Sequence, residues 1–307
     1  MADRAAVSPP PAQNRSTRRI GLLYAALAAL CASSAGLLLR HVEAADGWTL
    51  LFYRSLGFAG VVLLFTLVQH RRGVLRAFVA IGRTGLLAAV CLGGAFIAFI
   101  FSMLHTTVAN AVALLSVAPM VAGLIGWLLL RERPHALSWT AMALAAAGVA
   151  LTVREGLALG GGAGILFGAA ACLGFAGAVV ALRAGRDRDM MPAIVLSGAV
   201  AFAICLPAVD TVVIGRNDLM IALLLGSVQI GGQYILITLA ARRIPASDIA
   251  LMMILEVLLA PLWVWIFAGE AIAALTLAGG GVILIALALN AVAPPAQSAP
   301  TASRASA

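Results

Sequence analysis

The chain has few of the residues that soluble proteins place on their surfaces. Only 10% of its 307 residues are charged, and its positive charge comes from 20 arginines without a single lysine. Soluble domains average about 25% charged and about 45–50% apolar residues. The 63% hydrophobic content and the mean hydropathy of +1.07 therefore exclude an ordinary soluble protein and indicate lipid as the surroundings.

Clusters of metal-binding or redox residues are also lacking. The four cysteines stand singly in apolar stretches, the four histidines never cluster, and no C-x-x-C occurs. A metal site, a disulfide framework or a histidine-centred active site needs such groupings. We therefore predict no metal, no cofactor and no catalytic residue, which leaves an integral-membrane enzyme as a distant alternative only.

Ten apolar stretches each approach the roughly 20 residues that a helix needs to cross a bilayer. They predict an all-α integral membrane protein with ten transmembrane helices. The predicted limits are 20–39, 48–69, 84–103, 107–130, 136–153, 163–182, 192–213, 219–240, 246–268 and 272–290.

Arginine placement predicts the orientation. Sixteen arginines lie in the two tails and the even-numbered loops, against Arg40, Arg154 and Arg216 on the other side. Positive charge accumulates in cytoplasmic loops, so both termini are predicted to be cytoplasmic. The same placement between spans favours a topological role for the charge over nucleic-acid binding. The first span is expected to be a retained helix and not a cleaved signal, and the tails at 1–19 and 291–307 are expected to be disordered.

A forty-residue segment occurs twice. Gly93 to Glu132 aligns without gaps to Gly231 to Glu270, 138 positions later, with seven identities and matching ends. The chain is thus predicted to hold two five-helix repeats, 20–153 and 163–290. Because five is odd, the second repeat is inverted relative to the first, as in many secondary transporters.

The two segments resemble the EamA branch of the drug/metabolite transporter superfamily. The resemblance rests on Ala109-Asn110-Ala111 through Pro119 to Gly126-Trp127-Leu128-Leu129-Leu130-Arg131-Glu132, on Leu255-Glu256 through Trp265-Ile266-Phe267-Ala268-Gly269-Glu270, and on Tyr53-Arg54-Ser55. It implies an exporter of small metabolites in a bacterial inner membrane, often of amino acids or related compounds, working without ATP. Members often have Pro directly after the span 9 glutamate. This chain has Val257 there and Pro261 four residues later, so any helix break in span 9 is expected to be shifted.

Glu256 is the leading candidate for substrate binding or ion coupling. It lies near the middle of span 9, where a carboxylate is costly and normally faces a water-filled cavity or a partner. It could carry protons, or it could only tie two helices together. On a helix, Asp248, Met252, Glu256 and Trp263 share one stripe, which is predicted to line a transport path.

Arg54, six residues into span 2, is the only arginine inside a predicted span. It could bind a substrate carboxylate or pair with Glu256. Alternatively, its long side chain could extend to the lipid headgroups.

Three further candidates lie on span 8. Gln229 and Gln233 stand four residues apart, and Tyr234 adjoins them beside the Gly231-Gly232 pair. They are predicted to form a binding wall, with bridging between helices as the alternative.

The repeat-equivalent pair Asn110 and Asp248 opens spans 4 and 9. Both are candidates for substrate binding, although capping of the helix starts is the favoured role. Glu132 and Glu270 are predicted to be architectural, each near the start of the next helix.

These features favour a secondary transporter with a small-molecule substrate, working by alternating access in a lipid bilayer, with protons as candidate coupling ions. A broad-specificity drug exporter is the nearest alternative, with a cavity dominated by Met, Trp and Phe. The spacing Gly164-x-x-x-Gly168 is compatible with packing within one chain or between chains, so the oligomeric state is open.

Overall fold

A computed structural model describes residues 15–70, 73–130, 135–158, 160–185 and 187–292. These residues form helices and turns and no β-strand. Ten helical segments are long and apolar enough to cross a membrane, which confirms the predicted all-α architecture. In chain order, spans 1 to 10 are Ser16–Leu39, Gly47–Gln69, Gly82–His105, Val108–Leu130, Ala136–Ala158, Gly162–Ala184, Met191–Ala208, Arg216–Ala241, Asp248–Ala268 and Ala274–Val292.

The observed limits follow the predicted ones closely, with four differences. Span 5 ends at Ala158 and not at residue 153. Span 7 ends in a 3₁₀ turn at Leu206–Ala208 and not at residue 213. The helix of span 1 begins at Arg15, inside the segment predicted as a tail, whereas residues 1–14 and 293–307 lie outside the described part. A short helix, Val74–Ala80, joins spans 2 and 3 and was not predicted from the sequence.

Two spans are broken into separate helices. Span 1 consists of Arg15–Ser33 and Ala35–Leu39, and span 4 of Val108–Ser116 and Ala118–Leu130. The break in span 4 falls at Val117, just before Pro119, whose missing N–H cannot continue the helical hydrogen-bond pattern. Span 9 is different, because its helix runs from Ala246 to Ala268 through Pro261 without interruption. Span 9 therefore has no helix break, shifted or otherwise.

Span 8 changes its helical geometry halfway. It runs as an α-helix over Arg216–Leu224, as a π-helix over Leu225–Gly232 and again as an α-helix over Gln233–Ala241. Such π-helical turns are rare and are frequent at functional sites. Here the turn carries Gln229 and ends directly before Gln233 and Tyr234.

Gly226 in this turn lets span 8 approach span 2 closely. A Cβ atom at Gly226 would overlap the backbone carbonyl of Arg54 and come within 2.8 Å of the backbone nitrogen of Phe58. Any larger residue at position 226 would therefore prevent this close approach of the two spans. The contact fixes the height of Arg54 relative to the glutamines of span 8.

The packing pattern of the spans repeats itself after a shift of five. Span 1 packs on spans 8 and 9, as span 6 packs on spans 3 and 4, and span 2 packs on span 8 as span 7 packs on span 3. The same shift of five exchanges span 5 with span 10 and span 2 with span 7, so these two remaining close pairs are left unchanged by it. This pattern is consistent with the predicted inverted repeat.

The two ends of the bundle differ in their polar contacts. We call the end at which span 1 begins and span 10 ends the terminal face, and the other end the opposite face. At the opposite face, Glu270 accepts from Arg40 Nε at 2.7 Å and from the backbone N–H of Val108 at 2.8 Å. Arg40 also donates to the carbonyls of Met103 and Thr106. One ion pair thereby ties spans 1, 3, 4 and 9.

A second group of contacts at the opposite face joins further spans. The Thr276 hydroxyl donates to Asn110 Oδ1 at 3.0 Å and lies 3.0 Å from Glu155 Oε2, which links spans 4, 5 and 10. Asp218 at the start of span 8 accepts from the backbone N–H groups of residues 43–45, between spans 1 and 2. Eight of the ten spans are therefore linked by polar side chains at this face.

Candidate functional site

A cavity of about 330 Å³ opens in the middle of the bundle and extends toward the terminal face. Five of the predicted candidates line it: Arg54, Gln229, Gln233, Tyr234 and Glu256. They come from spans 2, 8 and 9, so side chains from three separate spans share one space. Their roles in binding stay predictions.

Arg54 is buried, and its side chain points inward. Its guanidinium carbon lies 5.6 Å from the ring centroid of Phe96, within reach of a cation–π contact. Its Nε has no hydrogen-bond partner among the described residues. The alternative in which Arg54 extends to the headgroups is therefore wrong.

Glu256 faces the same cavity from span 9. Ion pairs join Arg18 to Asp248 and Arg40 to Glu270, whereas none joins Arg54 to Glu256 in the described structure. The direct pairing considered from the sequence is not formed in this conformation. The cavity thus holds a cation and a carboxyl group that do not neutralise each other by contact.

The span 8 candidates line the same cavity. Gln229 donates from Nε2 to the carbonyl of Ala32 on span 1 at 3.3 Å, while its Oε1 is buried without a partner in the described structure. Gln229 therefore bridges two helices and also retains an acceptor at the cavity. The Tyr234 ring packs edge-on against Phe58 and Phe96, which holds the ring in the wall.

The predicted stripe on span 9 does not line the cavity as a whole. Met252 packs against a cluster that contains Ala25, Ala240 and Ile244, and Trp263 donates to the Ser33 hydroxyl on span 1 at 3.1 Å. Asp248 pairs with Arg18 at 3.0 Å. These three residues thus contact neighbouring helices, mainly span 1, because the stripe lies on the side of span 9 that packs there, and Glu256 stands at its edge.

The preferred capping roles are also wrong for both repeat-equivalent residues. At span 4 the N-cap is Thr107, whose hydroxyl accepts from the backbone N–H of Asn110. The Asn110 side chain instead bonds Thr106 and Thr276 at the opposite face. At span 9 the N-cap position is Pro245, without a side-chain cap.

Of the two turn glutamates, Glu270 makes contacts of an architectural kind, but to a different helix start from the predicted one. Glu270 does not contact the start of span 10 that follows it but the start of span 4, through Val108. Gly269, with φ of +66°, ends span 9 in the left-handed conformation that favours glycine and so directs Glu270 across the bundle. Glu132 lies outside the described residues.

Much of the cavity wall was not predicted. It includes the aromatic side chains Phe96, Phe99 and Phe175, together with Ser116, Met253 and Asn290. Asn290 could have been found as a polar residue near the end of an apolar span. The phenylalanines carry no such signal, because composition does not separate a cavity-facing ring from a lipid-facing one.

A separate membrane-level groove lies on the other side of span 9. It has a volume of about 470 Å³, is lined mainly by apolar residues of spans 4, 9 and 10, and shares Val257 with the central cavity. Among the described residues no group of three or more His, Cys, Asp or Glu side chains could hold a metal ion. Because this groove is mainly apolar whereas polar side chains line the central cavity, the central cavity is the stronger candidate site.

Ten spans around a central polar cavity define a multi-pass membrane protein with a site inside the bundle. The family model that matches the chain is the EamA-like transporter family, over residues 19–154, which are the first five spans. The match confirms the resemblance to the drug/metabolite transporter superfamily over that half of the chain.

A solved structure titled "Crystal structure of protein" is similar to the whole bundle. It aligns with a TM-score of 0.60 and 18% sequence identity, over 90% of this chain and 97% of that chain. At this identity the likeness supports the fold alone, and it extends through the second five spans. The search of curated proteins gave no match.

Proposed function

We propose that the chain is a secondary transporter that exports a small amphipathic metabolite, such as an amino acid or a related compound, across a bacterial inner membrane. One observation carries the proposal: Arg54 and Glu256, of opposite charge, line a single cavity without pairing. A substrate carboxylate is placed at Arg54 and a substrate amine toward Glu256. The apolar part of the substrate packs on Phe96, Phe99 and Phe175.

The size of the cavity favours a small substrate. Binding sites for small molecules span about 300–1,000 Å³, and the central cavity, at about 330 Å³, lies at the lower end. A metabolite fits this volume better than a bulky drug does.

Alternating access is proposed as the mechanism. The cavity reaches toward the terminal face through Ile237, Ala250 and Asn290, whereas the opposite face is tied by the contacts of Glu270, Asn110 and Asp218. With the terminal face on the cytoplasmic side, as arginine placement predicts, this arrangement corresponds to an inward-open state. The substrate then enters from the cytoplasm, and release requires the contacts at the opposite face to open.

Proton coupling is assigned to Glu256. A carboxyl group at mid-membrane depth can bind and release a proton as the cavity changes sides. Replacing Glu256 with Gln removes that ability but keeps the shape and much of the polarity. We expect Glu256→Gln to abolish accumulation driven by a pH gradient while substrate exchange across the membrane continues.

The test uses inside-out vesicles and labelled amino acids, with and without an imposed pH gradient. Glu43→Gln, at an exposed glutamate of the opposite face, is the matched control and retains gradient-driven uptake. Unchanged gradient dependence in Glu256→Gln would remove Glu256 from coupling.

A broad-specificity drug exporter is the second candidate, since three phenylalanines and Met253 line the cavity. Uptake of lipophilic cations by the same vesicles separates the two candidates. Transport of cations without any transport of amino acids would support the drug exporter and contradict the first proposal.

A further inference from the structure

A second polar cleft lies at the terminal face, away from the central cavity. It has a volume of about 370 Å³ and is formed where span 3 begins and span 6 ends. The residues that line it are Arg83, Thr84, Ala184, Gly185, Asp187 and Arg188. None of them lines the central cavity, so the proposed transport function does not account for this cleft.

Arg188 is held in place by backbone contacts. It donates from Nη1 to the carbonyl of Ala80 at 3.1 Å, and its guanidinium packs over Gly82, where any Cβ atom would overlap it. Gly82 also has φ of +61°, a conformation that favours glycine. The turn before span 3 thus leaves the space that Arg188 occupies.

Most of the donor capacity in the cleft is unused. A guanidinium has five N–H donors, and Arg188 uses one of them in the contact with Ala80. No hydrogen bond or ion pair of Arg83 is found among the described residues, and neither arginine pairs with Asp187. Two cations against one carboxylate leave the cleft with a net positive charge that suits an anion.

An unpartnered apolar surface adjoins this cleft. The helix Val74–Ala80 ends beside it, and Leu75 and Val79, one turn apart, are 83% and 82% exposed. Phe78 of the same helix packs inward on the cluster that contains Leu92 and Met191. Since the helix joins the terminal-face ends of two membrane spans, it lies at the membrane surface.

Together these features match the two parts of an anionic phospholipid. Side chains such as Leu75 and Val79 are stabilised when they enter the acyl region, while arginines at the same level attract acidic headgroups. We propose that the cleft binds the phosphate of an anionic phospholipid between Arg83 and Arg188, with an acyl chain along Leu75 and Val79. The lipid comes from the leaflet at the terminal face.

The proposal is tested by adding phosphatidylglycerol or phosphatidylcholine to the detergent-purified full chain. Thermal unfolding and native mass spectrometry report binding. We expect phosphatidylglycerol to raise the unfolding temperature and to remain bound, and phosphatidylcholine to do so far less. Each arginine near an anionic membrane surface strengthens lipid binding modestly, and the two contributions multiply in the affinity. The double variant Arg83→Gln/Arg188→Gln should therefore bind phosphatidylglycerol about thirtyfold more weakly.

Two variants separate a specific site from general surface charge. Arg154→Gln/Arg216→Gln removes two arginines at the opposite face and should leave phosphatidylglycerol binding unchanged. Asp187→Asn removes the carboxylate from the cleft and should strengthen phosphatidylglycerol binding several-fold. A variant that failed to fold would instead bind the lipid more weakly.

Three results would overturn the proposal. They are equal stabilisation by phosphatidylcholine, unchanged binding in the Arg83→Gln/Arg188→Gln protein, and equal protection by inorganic phosphate, which would identify a free anion as the ligand. If the double variant unfolds, Arg83→Lys/Arg188→Lys keeps the charge without the planar guanidinium. It should then show intermediate affinity.

Discussion

Arg54 illustrates how a single charged residue is kept available inside the bundle. Its backbone is held by the close approach of Gly226, its guanidinium lies over Phe96, and its Nε has no partner in the described structure. A buried charge without a hydrogen-bonded partner is costly. The arrangement is therefore better explained by a ligand that supplies the missing acceptor than by a contribution to folding.

Replacing Arg54 with Gln should accordingly weaken binding of a substrate that carries a carboxylate. Loss of one charge-assisted contact corresponds to at least about a tenfold increase in KM. The measurement is the concentration dependence of transport in vesicles. A substrate analogue without the carboxylate serves as the control and should show little change, whereas equal losses for both would indicate a structural role.

Asp46 gives a prediction about pH at the opposite face. Partial burial raises its pKa, but hydrogen bonds from the Thr49 hydroxyl and from the backbone N–H groups of Thr49 and Trp48 outweigh that effect, so its pKa lies below the usual value. A carboxylate with a lowered pKa stabilises the fold above its unfolded pKa of about 3.9. That contribution is lost as the pH falls toward the lower, folded pKa.

We therefore expect Asp46→Asn to unfold at a lower temperature than the parent protein at pH 6, with the difference shrinking below about pH 4. Thermal unfolding in detergent across this range measures it. Glu43→Gln, at a neighbouring exposed acid, is the control. A constant difference at every pH would mean that Asp46 acts through geometry and not through its charge.

At the scale of the element, the π-helical turn of span 8 has the clearest consequence. Gly226→Val would push the backbones of spans 2 and 8 apart, since even a Cβ atom overlaps the Arg54 carbonyl. Overpacking of this kind typically costs about 1–3 kcal/mol. We expect a lower unfolding temperature and loss of transport.

Gly60 on span 2 provides the matched control, because a Cβ atom there meets nothing within 4 Å. Gly60→Ala should be neutral or stabilise the helix by up to about 1 kcal/mol. Full transport in Gly226→Val would show that the close contact does not position the site.

Hydropathy and length predicted the spans well, but not the irregular parts of the helices. Span 4 is broken at Val117, two residues before Pro119, whereas the helix of span 9 runs through Pro261 without a break. The π-helical turn depends on a close backbone contact between spans 8 and 2, which periodicity cannot report. Helix interruptions are thus decided by tertiary packing as well as by local sequence.

The site could be predicted only where a residue was out of place in lipid. Arg54, Gln229 and Glu256 are polar residues inside apolar spans, and all three line the cavity. Phe96 and Met253 are apolar in apolar spans, and their position depends on how each helix is rotated in the bundle. The choice of Met252 over its neighbour Met253 shows the limit, because a rotation of about 100° separates adjacent residues of a helix.

The molecule as a whole combines symmetric packing with unequal closure of its two faces. Arg18–Asp248 and Arg40–Glu270 both join span 1 to span 9, one at each face. The terminal-face pair is more exposed, at 53% and 19% for its two side chains against 28% and 17% for the opposite-face pair. In the described structure, only the opposite-face pair also bonds further spans, span 4 from Glu270 to Val108 and span 3 from Arg40 to Met103. The opposite-face pair should therefore contribute more to keeping its face closed.

Breaking the opposite-face pair should shift the protein toward a state that is open on that side. Glu270→Gln removes the charge that Arg40 contacts but leaves an oxygen that can accept from the Val108 N–H. A charge-assisted hydrogen bond contributes about 1.5–3 kcal/mol, so its loss should shift the equilibrium between the two states tenfold or more. The reporter is Ser116→Cys, a cavity position, in a chain whose four native cysteines are replaced. A membrane-impermeant thiol reagent should label it from the opposite face at least about tenfold faster in Glu270→Gln.

Asp248→Asn is the control. It breaks the exposed pair, for which about 0–1 kcal/mol is typical, and should change labelling little. Equal labelling in Glu270→Gln and the parent would show that the Arg40–Glu270 pair does not hold the opposite face closed.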